Sequence, residues 1–519
     1  MRKVFFVLLG LTVTCSWAQQ KKVGKKKDYN PTTYAETITQ EDLKTHLYKY
    51  ASDEFQGRET GQPGQKMAVN YLKDNYVKLG IPAAQDNGEY FQNVPLEISS
   101  IPEVEVSVNG KAFSYGEDFV TFGGPGTTKI DANNIVYAGY GIEDEKYSDY
   151  TNLDVKGKIV LIKAGEPKNT DGTYKISGTS EASKWSNLRQ AFNAKIGAAS
   201  EKGAKGLLFY DDGNFSSLQQ QFNRVKNQPN GRISLKSDDA ESFFFLLVNK
   251  NLASSLLSSI EENATASTIN TKVNISFESK SKEISSENVV AYIKGSEKPD
   301  EYVVISAHLD HEGVKNGEVY NGADDDGSGT VAVLEIAEAF KKAANDGVGP
   351  KRSIVFLHVT GEEKGLLGSQ YYTDNPIFDL KKTVADLNID MIGRIDPKRD
   401  GDRNYIYLIG SDKLSTELHN ISEEVNSKYT NITLDYTYND ENDPNRFYYR
   451  SDHYNFAKNN VPIIFYFNGT HADYHRPSDT PDKIQYDLLT NRARLVFYTA
   501  WEVANRDKRI IADKAVPAE

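Results

Sequence analysis

The sequence is poor in cysteine, and Cys15 is its only example among 519 residues. This residue lies within an N-terminal segment that we expect to be removed, so the mature chain would carry no thiol. Disulfide bonds and cysteine nucleophiles are thereby excluded as sources of stability or of catalysis.

Long apolar runs and basic clusters are also scarce. No stretch approaches the roughly 20 apolar residues that a transmembrane helix needs, so we expect no stable membrane insertion. Lys21–Lys27 is the one basic cluster that stands out, and the net charge is -12. This balance argues against nucleic acid as a partner.

The first residues have the pattern of an export signal. Arg2 and Lys3 precede the short apolar run Val4–Val13, and Ser16-Trp17-Ala18 places small residues where a signal peptidase requires them. We predict a signal peptide over residues 1–18 and a periplasmic or secreted protein. A buried N-terminal helix is the alternative, as is a lipoprotein signal at Cys15.

The rest of the chain divides into three parts, as its length leads one to expect. Residues 19–100 contain a helical pattern over Glu41–Leu79, interrupted by the loop Gly57–Gly64. Residues 101–280 are rich in short β-type runs and contain one helical pattern, Leu188–Gly203, while Asp212-Gly213 has the composition of a turn. Residues 281–519 alternate strands with helices.

This alternation predicts an α/β fold in which a central sheet carries helices on both faces. The main predicted helices are Gly329–Ala343 and Lys413–Ser427. The predicted strands are Val289–Lys294, Tyr302–Ala307, Ser353–Val359, Thr383–Ile389, Tyr405–Ile409 and Val461–Phe467.

Four of these apolar strands end in polar side chains. His308 and Asp310 follow the second strand, and Glu362-Glu363 the third. Asp390 directly follows the fourth strand, while the last leads to His471 and His475. In open α/β sheets, sites form beyond the carboxyl ends of the strands, so we expect one shared site.

A glycine-rich acidic loop, Asn321–Gly329, precedes the first long helix of this region. One aspartate there would serve as a helix cap. Three in succession, Asp324–Asp326, repel one another unless cations neutralise them. Two imidazoles together with carboxylates suit Zn²⁺, and a bridging carboxylate would hold two ions about 3.5–4 Å apart.

Other chemistries have less support. Gly327-Ser328-Gly329 lacks the Gly-x-Ser-x-Gly pattern of a serine hydrolase, and no phosphate-binding glycine loop follows a strand. The acidic stretch Asn439–Pro444 does not have the spacing of an EF-hand. Glu362, beside its neighbour Glu363, is suited to act as a general base next to a metal.

The ordered motifs resemble those of the zinc aminopeptidase family M28 over residues 288–506. The segment Leu47–Gly80, with Phe55-Gln-Gly-Arg58, is similar to the N-terminal helices of that family. The matching motifs are Ala307–Asp310, Gly322–Gly329, Gly361–Glu363, Asn388–Gly393, Arg450–His453 and Tyr474–Thr480.

The resemblance implies two zinc ions per chain. One would be bound by His308, Asp325 and Asp390, and the other by Asp325, Glu363 and His475. The residues alone leave open the choice among Asp324–Asp326, and that between His471 and His475.

Further roles are implied by the same family. Glu362 would be the general base for a hydroxide bridging the two zinc ions. Asp310 would orient His308, and Tyr474 would stabilise the oxyanion. The middle part resembles an inserted protease-associated (PA) domain, with the similarity carried by Asp154–Ile162 and Glu201–Phe209.

The resulting prediction is an exported metallopeptidase that releases N-terminal residues from peptides. Carboxypeptidase or glutaminyl cyclase activity on the same fold is the alternative. A catalytically dead receptor-like module would be expected to have substituted ligands, whereas all five stand here. The sequence leaves open the preferred N-terminal residue, the native metal, the oligomeric state and the role of the insertion.

Overall fold

The computed structural model describes residues 30–226, 231–236, 243–262, 265–399 and 401–514. The predicted signal peptide, with Cys15, lies outside these residues. Among the helices of the described ranges, none combines the length and apolar character that crossing a membrane requires.

The strands and helices of the described residues follow one another in chain order. The strands are β1 Phe91–Ser99, β2 Glu103–Val108, β3 Lys111–Phe113, β4 Phe119–Val120, β5 Thr128–Ala132, β6 Ile135–Tyr137, β7 Glu143–Asp144, β8 Tyr147–Ser148, β9 Ile159–Lys163, β10 Gly206–Tyr210, β11 Arg232–Leu235, β12 Phe244–Val248, β13 Ser267–Ile269, β14 Val273–Glu278, β15 Ser281–Ile293, β16 Lys298–His308, β17 Gly313–Lys315, β18 Glu318–Tyr320, β19 Arg352–Val359, β20 Thr383–Ile389, β21 Tyr405–Ile409, β22 Thr433–Asp435 and β23 Ile463–Phe467. The α-helices are α1 Thr32–Ala35, α2 Gln40–Tyr50, α3 Pro63–Leu79, α4 Leu188–Glu201, α5 Asp212–Lys226, α6 Lys250–Leu256, α7 Gly329–Asn345, α8 Leu367–Asp374, α9 Thr416–Val425, α10 His453–Ala457 and α11 Tyr486–Asn505.

A nine-stranded mixed sheet forms the centre of the molecule, in the order β11-β1-β15-β19-β16-β20-β23-β21-β22. Strands β19, β16, β20 and β23 are neighbours and run parallel to one another. Their carboxyl ends therefore meet at one edge of the sheet. The predicted α/β fold with a central sheet is confirmed.

Alternate residues of the central strands enter two different cores, as expected for a sheet that is covered on both faces. Val303 and Ile305 of β16 pack in the core that contains Phe340 of α7. Val304 packs on the opposite face, with Tyr372 of α8 and Phe456 of α10.

The region between β1 and β15 forms three further sheets among the described residues, ordered β13-β6-β9-β10-β12-β4, β3-β2-β14-β5 and β7-β8. It leaves and rejoins the central sheet at one place, because β1 and β15 pair antiparallel with Ser99 opposite Ser281. Its strand β11 also pairs with β1, so the insertion extends the central sheet by one strand.

The helix predicted at Leu188–Gly203 is confirmed as α4, but the insertion also contains α5 and α6, which the sequence did not predict. Helix α5 begins at Asp212, where a turn was expected. The apolar side chains of α5 recur at Phe215, Leu218 and Phe222, with helical spacing, and they pack in the core of the insertion.

The loop between α2 and α3 packs against the central domain through a left-handed turn. Gln56, Gly57 and Arg58 have positive φ values of 49°, 64° and 53°. A Cβ atom on Gly57 would lie 2.4 Å from the carbonyl oxygen of Tyr320 and 2.5 Å from that of Gly313. Only glycine fits here, because both close atoms belong to the backbone.

The buried guanidinium of Arg58 binds two loops of the central domain. It donates to the carbonyl oxygens of Leu309 at 3.1 Å, Asn321 at 2.7 Å and Gly322 at 2.9 Å. Its side chain is 1% exposed. Arg58 therefore holds together the two loops that carry His308 and the three aspartates.

We predict that Arg58→Lys destabilises the protein. A lysine ammonium cannot reproduce the fork of donors, and each buried carbonyl left unpaired costs roughly 1–3 kcal/mol. Thermal unfolding followed by circular dichroism should show a lower melting temperature. Arg446→Lys, at an exposed arginine, is the control, and equal melting temperatures for the two variants would contradict the anchoring role.

Candidate active site

The polar side chains predicted at the strand ends lie at one edge of the sheet. His308 is the last residue of β16, and Asp390 directly follows β20. Glu362 and Glu363 follow β19, and the segment after β23 contains His475. The parallel arrangement of these four strands brings the side chains together.

Asp325 lies between the two imidazoles. Its Oδ1 is 3.2 Å from Nε2 of His308, and its Oδ2 is 3.0 Å from Nε2 of His475. Asp390 Oδ1 lies 3.6 Å from His308 Nε2, and Glu363 Oε2 lies 3.2 Å from His475 Nε2. The five side chains implied as ligands thus form two adjoining groups that share Asp325.

The three consecutive aspartates have different partners. Asp324 accepts from the backbone N–H of Gly393 at 2.6 Å and faces Nε2 of His471 at 3.1 Å. Asp326 accepts from the backbone N–H groups of Gly329 and Met391, at 2.9 and 3.0 Å.

The carboxylates of Asp324 and Asp326 are therefore committed to the framework of the loop, and His471 is committed to Asp324. The Oδ2 atom of Asp325 has no hydrogen-bond partner among the described residues. On these contacts, the side chains of Asp325 and His475 are the least engaged with the framework, although Asp326 also forms a group with His308 and Asp390 that could hold a metal ion.

Several buried polar atoms at this centre lack hydrogen bonds within the described part of the chain. They are Nε2 of His308, Oδ2 of Asp325, Oε1 of Glu363 and both ring nitrogens of His311. Buried polar groups are nearly always paired, so atoms that face one another without hydrogen bonds indicate a missing partner. Their nitrogen and carboxylate donors fit a divalent metal such as zinc.

The backbone selects the tautomer of His308. Its Nδ1 lies 3.1 Å from the main-chain oxygen of Asp310 and can donate to it, which leaves Nε2 as the ring nitrogen that faces Asp325. The carboxylate of Asp310 is farther away, with Oδ1 at 4.0 Å from Nδ1. The nearest contact that orients His308 is therefore the main-chain carbonyl of Asp310.

The Asp310 carboxylate instead connects two other segments. Its Oδ1 accepts from the backbone N–H of Glu362 at 3.2 Å, and its Oδ2 accepts from Thr60 Oγ1 at 2.7 Å. The sequence had no signal for the roles of Thr60 and Arg58, because their partners are mostly backbone atoms about 250 residues away.

A pocket opens beside Asp325 and Glu362. Tyr474 lines it and stacks on the His475 ring, with ring centres 4.0 Å apart. Its apolar wall consists of Met391, Phe447, Phe465 and Phe467, and Arg450 and Thr470 add polar groups.

The crowded charges alter the acidity of the site. Burial raises the pKa of Glu362 well above its usual range, and the Glu363 and Asp390 carboxylates act in the same direction. Burial would also raise the pKa of Asp325, but the contacts with His308 and His475 outweigh it and hold that pKa well below its usual range. The contacts with the two imidazoles thus favour the ionised form of Asp325.

Two protein-family models match segments of the chain. Residues 288–500 match the model of peptidase family M28, and residues 127–240 match the PA domain. A solved aminopeptidase from Aneurinibacillus sp. strain AM-1 has a TM-score of 0.50 at 20% identity, covering 93% of this chain and 98% of that chain. That similarity shows the fold.

Proteins of similar sequence are named either as aminopeptidases or as carboxypeptidases. The probable leucine aminopeptidase 2 of Aspergillus oryzae (strain ATCC 42149 / RIB 40) is 25% identical over 92% of this chain and 86% of its own length. The glutamate carboxypeptidase 2 homolog of Caenorhabditis briggsae is 29% identical over 53% of this chain, and the match spans only 39% of that relative. The resemblance predicted from the sequence is confirmed by the family models: residues 288–500 match peptidase family M28, and residues 127–240 match the PA domain.

Proposed function

We propose that this protein is an exported exopeptidase with two zinc ions, which releases N-terminal residues from peptides. The observation that carries the proposal is the Asp325 carboxylate, which faces one imidazole with each of its oxygens. Export rests on the signal predicted at residues 1–18. The proposed domain division is 19–100 and 281–519 for the peptidase and 101–280 for the insertion, which would shape access to the site.

The ligand distances support two groups of metal ligands that share Asp325. Bonds of about 2.0–2.1 Å to zinc place neighbouring ligand atoms roughly 3.3 Å apart. The four distances between imidazole and carboxylate atoms in the two groups, from 3.0 to 3.6 Å, lie close to this value. We assign His308, Asp325 and Asp390 to one ion, and Asp325, Glu363 and His475 to the other.

When bound, the two ions would act as Lewis acids that polarise the peptide carbonyl and acidify the attacking water. Glu362 is the proposed general base, which takes a proton from water and passes it to the leaving amine. The Asp310 carboxylate holds the backbone of Glu362 in place. Tyr474, which lines the same pocket, would donate its hydroxyl to the developing oxyanion.

The charges around the pocket favour a substrate with a free amino terminus. Glu362 and Asp390 border an apolar pocket, so they would attract an ammonium group whose side chain enters that pocket. We therefore propose small or medium apolar residues at the N-terminus of the substrate.

Carboxypeptidase activity is the second candidate, and Arg450 is the observation that favours it. Arg450 lines the pocket, and a guanidinium is the group that binds a peptide carboxylate most specifically. Glutaminyl cyclase activity has less support, because the complete five-ligand set is present.

We predict that Asp325→Ala loses both metal ions, since each ion would lose its shared ligand. Elemental analysis of the purified variant by mass spectrometry, after dialysis against zinc, measures this. Asp440→Ala, at an exposed acidic residue, should retain two ions per chain and serves as control. Two retained zinc ions in Asp325→Ala would rule out the bridge.

We predict that Glu362→Gln keeps both ions but lowers kcat by about 10²- to 10⁴-fold, the usual contribution of a general base. Glutamine has nearly the shape of glutamate but cannot accept the proton. Steady-state kinetics together with the zinc content tests this, with the exposed Glu441→Gln as control. Full turnover in Glu362→Gln would remove this residue from the mechanism.

Which end of a peptide the enzyme shortens can be tested with the variant Arg450→Ala and three matched peptides. One peptide is free at both ends, one is blocked at the amino end, and one is amidated at the carboxyl end. For an aminopeptidase, only the amino-blocked peptide should resist cleavage, and kcat/KM should stay within about threefold in Arg450→Ala. If the amidated peptide resists and the variant loses activity on free carboxylates, the enzyme is a carboxypeptidase. Arg446→Ala is the control.

A further inference from the structure

His311 is a buried imidazole beside the site that neither the motifs nor the five-ligand set includes. It follows β16 by three residues and is 0% exposed. Its Nδ1 lies 2.9 Å from Oε1 of Glu363 and 3.8 Å from Oδ2 of Asp325. These three atoms form one of the groups of ligand atoms that could hold a metal ion, all within 4.8 Å of one another.

We propose that His311 Nδ1 is a ligand of the second metal ion, together with Asp325, Glu363 and His475. The inference rests on the proposed two-metal function and extends it. The second centre would then have four ligands from the chain, whereas the first has three. It would bind its ion more tightly and fill first.

The first support is that the short contact to Glu363 is not a hydrogen bond. Nδ1 of His311 and Oε1 of Glu363 are both without a hydrogen-bond partner among the described residues, although they are 2.9 Å apart. The two atoms are therefore not aligned along an N–H direction. Close, unaligned donors are what two ligands of one ion show, since both point at the ion instead of at each other.

The second support is the relation of the two imidazoles. The rings of His311 and His475 have their centres 5.7 Å apart and are inclined at 76°. Two imidazoles bound to one zinc ion have ring centres roughly 5 Å apart, given the bond lengths of such sites. The distance of 5.7 Å between the two ring centres is close to this spacing.

The third support is the space reserved for the ring. Gly322, with φ of 53°, lies against His311, and a Cβ atom there would be 2.5 Å from Cγ and Cδ2 of the imidazole. Gly322 also accepts a hydrogen bond from Arg58, so its position is fixed. The backbone thus holds the imidazole with Nδ1 on the side of Glu363 and Asp325.

The competing role for His311 is to position Glu363 by a hydrogen bond without touching the metal. Two variants separate these roles. His311→Ala removes both functions, whereas His311→Asn keeps an N–H donor near the place of Nδ1. Loss of a residue that only supports a ligand weakens metal binding by about 10- to 100-fold.

The experiment titrates metal-free protein with zinc by calorimetry. The wild type should bind two ions, the first more tightly. In both His311→Ala and His311→Asn, the affinity for one ion should fall by more than roughly 100-fold, while that for the other changes little. His419→Gln, at a histidine bonded to Ser411, is the control. Recovery of wild-type affinity in His311→Asn would overturn the proposal in favour of the positioning role.

X-ray absorption at the zinc edge needs no variant, and it stays decisive if the variants fail to fold. Wild-type protein loaded with one equivalent of zinc should show two imidazoles on the ion, from His311 and His475. A single imidazole would overturn this proposal and leave the two-metal function intact. Binding of fewer than two ions by the wild type would instead contradict the proposed function itself.

Discussion

Repulsion among buried carboxylates is the constraint on which this site depends. Asp325, Glu362, Glu363 and Asp390 lie at one sheet edge, where burial makes each additional negative charge more costly. The surrounding backbone cannot neutralise them, because it offers dipoles rather than whole charges. Divalent cations can, which is why carboxylates that repel one another would become a common set of ligands for the proposed metal ions.

Rigid support makes that arrangement possible. The strands end at fixed positions along the sheet edge. The acidic loop is held by hydrogen bonds from backbone N–H groups to the carboxylates of Asp324 and Asp326, which lie on either side of Asp325. The backbone contacts of Asp324 and Asp326 thus fix the position of Asp325 between them. Arg58 adds a second constraint from outside the sheet, by joining the carbonyls of two loops that would otherwise be free to separate.

Much of the fold and of the candidate site could be predicted from the sequence, because polar residues that follow an apolar strand mark where the strand ends and where those residues lie in the sheet. The predicted fold class and the predicted bounds of β20 and β21 agree with the structure. The choice among three aspartates could not be made locally, since it depends on distant N–H groups that no spacing reveals. Helix α5 was missed because Asp212-Gly213 fits a turn as well as a helix start. The contact of His311 with Glu363 could not be predicted because the two residues meet only in the fold.

The pairing of Ser99 with Ser281 has a consequence for how this architecture could have arisen. The chain leaves β1 and enters β15 at the same register position of one antiparallel pair. In its connectivity the pair is therefore a hairpin whose loop is a whole domain. Such a loop can be shortened or exchanged without rethreading the chain. The accessory module could therefore be gained or exchanged by a single change at this junction, and that change would also add or remove the edge strand β11.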